Sequence, residues 1–174
     1  MSTRRRVFAA LVPPAELVAA LADRLGPLAI PGRLVPPENW HITLRFAGQI
    51  DPVAYERWVA ALDQDIATSP LTLRLGGLGA FPRPRKATVV WVGVHSERLG
   101  DLAAEVEEAA QAAGLEPEER PFRGHLTLSR VRPYRDVTDL IETEPLGLTW
   151  RVEEVKLMAS EGGRYRVLEG FPLG

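Results

Sequence analysis

Two short stretches hold the residues best able to do chemistry. "NWHITLRF", residues 39–46, and "RGHLTLSR", residues 123–130, each set a histidine, an aliphatic residue, a threonine and a second aliphatic in that order. The chain has only three histidines, and His41 and His125 both sit in near-copies of one pattern. In an extended strand, residues i and i+2 share a face. Each histidine then lies beside its own threonine, Thr43 or Thr127, while the aliphatics anchor the opposite face in a core. Two such strands brought together across a groove would converge two imidazoles and two hydroxyls.

That set suits in-line displacement at phosphorus, where the entering and leaving oxygens lie on opposite sides of the phosphate. One histidine on each side can take a proton from the nucleophile and give one to the leaving group, because an imidazole titrates near neutrality. Threonine hydroxyls can donate to the non-bridging oxygens. The chemistry requires no metal, and the sequence offers no H-E-x-x-H, no cysteine and no dense carboxylate cluster; no cofactor is implied. His95 lacks a threonine partner and reads as an exposed strand end. "GGLGAF" (76–81) is no dinucleotide fingerprint, since the third glycine is missing and no helix follows.

The elements that must position these residues follow from periodicity. "RVFAALV" (6–12) reads as a buried strand, and Pro13-Pro14 opens a helix with Leu17, Val18, Leu21 and Leu25 on one face, ended by Gly26. A proline-rich loop leads to "NWHITLRFAG", where Trp40, Ile42, Leu44 and Phe46 alternate with His41, Thr43 and Arg45. Asp51-Pro52 caps a helix to about Ala67. "LTLRLGG" (71–77) and "TVVWVGV" (88–94) read as a hairpin around the basic loop "FPRPRKA" (81–87). Residues 97–114 form the strongest helical pattern, and Gly114 sits at its end. After "HLTLSRV" come a short helix at 136–142 and a closing hairpin of 148–160 with 163–170. Helices and strands are mixed without strict alternation, which predicts an α+β fold with largely antiparallel sheet.

Composition bounds the rest. A chain of 174 residues with 45% hydrophobic side chains can bury a full core as a single domain. No apolar run is long enough to span a membrane, and the basic start before "VFAALVPP" reads as the entry to a strand and not as a signal peptide. Zero cysteines fit a cytoplasmic protein. A net charge of −2 makes the molecule as a whole no trap for nucleic acid, although a local basic cleft is compatible with it. Lys86 and Lys156 are the only lysines among 21 basic residues. Arg83, Arg85 and Lys86 form either a guide for an RNA backbone or a plain solvated loop.

With these stretches in this order, the chain resembles the two-histidine phosphoesterases. It is similar in particular to the RNA 2′,3′-cyclic phosphodiesterases, also called 2′-5′ RNA ligases. "RVFAALVPPAEL" resembles that family's opening strand and helix, "RLVPPENWHITLRFAG" its first His-x-Thr-x motif, "FPRPRKATVVWVGV" its middle hairpin and "PFRGHLTLSRVR" its second motif. The resemblance implies two similar α+β lobes within residues 1–174, one motif from each, around a central cleft. It implies hydrolysis of RNA 2′,3′-cyclic phosphate ends to 2′-phosphates without metal or nucleotide, and in some members reversible 2′-5′ ligation. Carried over by position, His41 and His125 are catalytic, and Thr43, Thr127 and Arg130 bind phosphate. Phe8 is a candidate base contact, although Ala9 stands where the family often has a second phenylalanine. Gly124 stands where a proline often precedes the second histidine.

The resulting expectation is a monomeric enzyme whose partner is an RNA or oligonucleotide with a cyclic-phosphate end, such as a tRNA fragment. His125 is assigned as base and His41 as acid, with the reverse pairing left open. The alternative is an RNA-end-binding module without catalysis. Strict alternation would put Arg130 on the core face, so the strand is expected to end or bulge by Ser129.

Overall fold

The computed structural model describes residues 5–174; the basic start, residues 1–4, lies outside the described residues. The chain runs β1 (Arg5–Leu11), α1 (Ala15–Leu25), β2 (Arg33–Leu34), β3 (Ile42–Ile50), α2 (Pro52–Asp65), β4 (Leu71–Phe81) and β5 (Ala87–His95). It continues through α3 (Leu99–Ala112), β6 (His125–Arg135), α4 (Thr138–Ile141), β7 (Leu148–Val152), β8 (Glu154–Glu161) and β9 (Arg164–Pro172). The helix boundaries follow the sequence signals. Asp51 accepts a hydrogen bond from the Ala54 amide at 2.9 Å and caps α2, and Gly114, at φ +95°, takes the left-handed turn just beyond α3.

Among the described residues the strands form one sheet in the order β7-β4-β5-β6-β3-β1-β8-β9, with β2 added against β6. Every pairing is antiparallel. The order mirrors itself about the β6–β3 junction: β4-β5-β6 on one side answers β8-β1-β3 on the other. Each flank is zipped over many residues, whereas β3 and β6 meet at a single pair, Ile42 opposite Leu126. Two α+β halves therefore share one sheet and touch at its middle by one rung.

One face of the sheet is the core. Leu21, Trp58, Leu62, Leu102 and Val106 of the helices pack there against Val7, Ile42, Leu73, Val92, Leu126 and Leu157 of the strands, all nearly inaccessible. The cluster runs without interruption through both halves. Among the described residues, no helix is long and apolar enough to cross a membrane.

Three expectations need correction. Residues 148–160 are not one strand. β7 pairs with β4 at one end of the sheet and β8 pairs with β1 near the other, so the chain crosses between them at Glu153. The closing hairpin is β8–β9 alone. The proline-rich loop contains the short strand β2, too brief to show a period. Finally, the alternation of residues 40–46 fails after Leu44: Arg45 is buried at 8% exposure, while Phe46 is 48% exposed. In the register with β1, Ala10 faces Thr43 and Ala9 faces Arg45, so Leu44 is an extra residue, a β-bulge that shifts the phase of all that follows.

Candidate active site

The single rung between β3 and β6 places the polar groups. Ile42 and Leu126 are each 0% exposed and point into the core. Their neighbours His41, Thr43, His125 and Thr127 therefore project from the opposite face, and all four are half-buried. Extended by one residue each way, this antiparallel register would set His41 toward Thr127 and Thr43 toward His125. On a regular ladder that register makes the two histidines diagonal neighbours, about 7–8 Å apart in backbone spacing, and farther apart where strands splay. The four residues singled out in the sequence are thus brought together on one surface.

Both imidazoles are oriented in the same way. His41 Nδ1 donates to the Asn39 carbonyl at 2.8 Å, and His125 Nδ1 donates to the Arg123 carbonyl at 2.8 Å. A carbonyl can only accept, so Nδ1 carries the hydrogen and Nε2 is left for chemistry. In His41, Nε2 lies 3.0 Å from the Thr43 hydroxyl. Burial lowers the pKa of His41 below the ordinary imidazole value; the Asn39 carbonyl opposes this, and the charges of His125 and Arg130 add to the lowering.

Aromatic rings brace each histidine. His41 packs 4.9 Å from Phe8 and edge-on to Tyr165 at 5.2 Å. His125 packs edge-on to Phe81 at 5.0 Å and 6.0 Å from Trp91. Phe8 is only 3% exposed, so its ring supports His41 from beneath and leaves little free face for a base. The accessible ring on that side belongs to Tyr165, at 36% exposure. Phe81, Trp91 and Tyr165 escaped the sequence reading, since nothing in their local pattern sets them apart from ordinary strand aromatics. One signal was present. Gly79 lies opposite Trp91, and a Cβ there would come within 2.1 Å of the indole, so the glycine of "GGLGAF" makes room for the ring.

The bulge after His41 has a counterpart after His125. In the register with β5, Trp91 faces Thr127 and Val90 faces Ser129, which leaves Leu128 as the extra residue. Both bulges fall three positions after the histidine. Both bury the next residue: Arg45 and Ser129 are the two buried polar residues among those described. Both turn the residue after that outward, Phe46 in one copy and Arg130 in the other. Arg130 thereby leaves the core face by the bulge, one of the two expected routes, and β6 continues without ending to Arg135. His95 stands apart, over Gly76 at the far end of β5. A groove of about 480 Å³ opens beside the site, lined by Thr43, Phe46, Phe81, Phe122, Arg123 and His125. A larger hollow of about 730 Å³ between α1 and β7 holds none of the four His and Thr residues.

A mirrored antiparallel α+β sheet with one His-Thr pair from each half on a common face defines a phosphoesterase of the two-histidine class. The chain belongs to the family described as LigT like Phosphoesterase, whose pattern matches it twice, over residues 11–91 and 92–169. It is 38% identical over 128 residues to an RNA 2′,3′-cyclic phosphodiesterase of Aeropyrum pernix, covering 72% of each chain. To the Escherichia coli protein of that name it is 32% identical over 174 residues, covering 95% of this chain and 93% of the relative. Among solved structures, E. coli LigT in its apo form superposes with a TM-score of 0.80 at 29% identity over 98% of both chains. Its complex with 3′-AMP superposes equally well.

Proposed function

We propose that this protein opens the 2′,3′-cyclic phosphate at an RNA end to a 2′-phosphate by acid–base catalysis between His41 and His125. The observation that carries the reading is the pairing of Ile42 with Leu126, from which the one-faced arrangement of both His-Thr pairs follows. The names of the relatives and the 3′-AMP complex of E. coli LigT support a cyclic-phosphate substrate.

In the proposed step, water adds to phosphorus as one histidine removes its proton. The bond from phosphorus to O3′ breaks, and the other histidine delivers a proton to that oxygen. Thr43, Thr127 and Arg130 hold the non-bridging oxygens. Phe8 holds the His41 ring in place, and Tyr165 offers a base the open aromatic face. Burial disfavours the imidazolium form of His41, which supports His41 as base and His125 as acid, the reverse pairing that the sequence left open. Joining a cyclic end to a 5′-hydroxyl uses the same atoms, with the hydroxyl replacing water.

The test is product analysis on a short RNA with a 2′,3′-cyclic phosphate. The expected product is the 2′-monoester, with or without chelator. Either His→Ala variant should lose about a hundredfold or more of the rate. A parent that binds the end without turnover would identify a binding module, and full activity in His125→Ala would end the acid–base assignment.

A further inference from the structure

We propose that the exposed arginines where β2, the β4–β5 turn and the far half of β6 meet bind the phosphates of the RNA chain leading to its cyclic end. The inference rests on the cyclic-phosphodiesterase reading and narrows it. The substrate class is a polynucleotide end, not a free cyclic mononucleotide.

Three segments remote in sequence build this surface. β2 sets Arg33 directly opposite Arg130 of β6. Farther along β6, Arg132 and Arg135 are exposed, and Ala87, at the start of β5, faces Arg135. The turn carrying Arg83 and Arg85 is fixed to the end of β6, because the Val137 amide donates to the Pro84 carbonyl at 2.8 Å. Lys86 Nζ lies 5.7 Å from the ring of Tyr134, which is itself 52% exposed. Between Val89 and Ala87 the partner strand advances from Arg130 to Arg135, so the register shifts there; Val131 stays buried at 4% exposure, while Arg132 and Tyr134 face solvent.

This surface carries no counter-charge of its own. Among the described residues, no ion pair joins Arg33, Arg83, Arg85, Arg130, Arg132 or Arg135 to a carboxylate. Two arginines directly opposite each other across strands are unfavourable unless an anion lies between them. Asp136, next to Arg135 in the chain, feels the charge of Arg85, and its Oδ1 accepts from the Thr138 hydroxyl and amide at 2.5 and 2.9 Å. A negative partner from outside the chain would settle these charges, and guanidinium forks suit phosphate oxygens.

The direction of the surface supplies the occupant. It begins at Arg130, whose charge His41 senses, and leads away from the cleft along β6. From Arg130 to Arg135 an extended strand covers at most roughly 17 Å, the reach of a few nucleotides. A backbone whose terminal phosphate sits between the histidines would continue over Arg132, Arg135 and Arg85, with Tyr134 available for stacking on a base. A cyclic mononucleotide would fill the cleft and leave these cations unused.

The experiment compares a 2′,3′-cyclic mononucleotide with a single-stranded octanucleotide carrying the same cyclic end, in the parent and in an Arg85→Gln/Arg132→Gln/Arg135→Gln variant. The parent should prefer the octamer by about tenfold or more in kcat/KM, with a steep fall as salt rises. The variant should lose that preference and show a log–log salt slope shallower by about two, while its rate on the mononucleotide stays at the parent level. The unchanged mononucleotide rate also reports correct folding. Equal treatment of the octamer by parent and variant would overturn the inference. So would selective capture on phosphatidylserine vesicles without affinity for the octamer. If the parent turns over neither substrate, the cyclic-phosphodiesterase reading fails, and fluorescence anisotropy of a 2′-phosphate octamer still decides whether the arginines bind RNA.

Discussion

At the scale of single residues, the site depends on how each imidazole is held. Nδ1 of each histidine is committed to a backbone carbonyl two positions earlier, so the tautomer is set by strand geometry rather than by a carboxylate partner. Burial disfavours the imidazolium form of His41. A base must be unprotonated to act, so activity governed by His41 should be lost on the acid side, and its lowered pKa places that loss below the ordinary imidazole range near 6.5. The expected kcat/KM profile has its acidic limb there, and the limb disappears in His41→Ala. Disappearance of the alkaline limb instead would make His41 the acid. A second residue-scale prediction concerns Gly79. A Cβ at that position meets the Trp91 ring at 2.1 Å, so Gly79→Ala should push the indole toward His125 and lower kcat several-fold with a smaller change in KM. A kcat equal to that of the parent would show that Trp91 does not brace the histidine.

At the scale of elements, the two bulges do the positioning. The bulge at Leu44 brings Arg45 to α3 and to the loop beyond it. Its guanidinium pairs with Glu107, donates to the Glu116 carbonyl and reaches the Phe46 carbonyl at 2.8 Å. Glu107 in turn accepts from the Glu118 amide at 2.9 Å and from Gln111 at 2.8 Å. This network ties the strand bearing His41 to the loop that leads into His125. Removing one partner of a largely buried pair leaves the other uncompensated, so Arg45→Ala should cost about 3 kcal/mol of stability and reduce activity with it. Burial alone would raise the carboxyl of Glu107, but the Glu118 amide, Gln111 and Arg45 outweigh it and hold the pKa below the usual carboxylate value. A carboxylate depressed in the folded state contributes stability above its unfolded pKa and loses it as pH falls through the folded one. Denaturant titrations of the parent should therefore show stability falling below about pH 4.5, more steeply than in Glu107→Gln. Equal slopes would remove Glu107 from the account.

At the scale of the whole molecule, the mirrored sheet raises the question of whether the halves are independent. They meet by a single rung in the sheet, which alone would allow separate unfolding. The helix-facing core argues otherwise, since one hydrophobic cluster includes residues from β1 to beyond β9. Calorimetry should therefore record a single cooperative transition, and Leu126→Ala, at the rung itself, should lower its midpoint by 2–5 kcal/mol worth of stability. Two resolved transitions would mean that each half folds alone and that the cleft is a joint between domains.

Much of this molecule was readable from residue order. The helices followed from apolar spacing and from Pro13-Pro14, Asp51 and Gly114, and the polar face of each His-Thr strand followed from a period of two. These are properties of near neighbours along the chain. Folding supplied what depends on register between distant strands. It placed an extra residue at Leu44 and Leu128, which exchanged Arg45 for Phe46 and brought Arg130 outward. It sent the two parts of 148–160 to opposite flanks, and it set Phe8, Tyr165, Phe81 and Trp91 around the imidazoles. Hydrogen-bond pairing across strands selects those positions, and no local pattern encodes which residue of a partner strand will stand opposite.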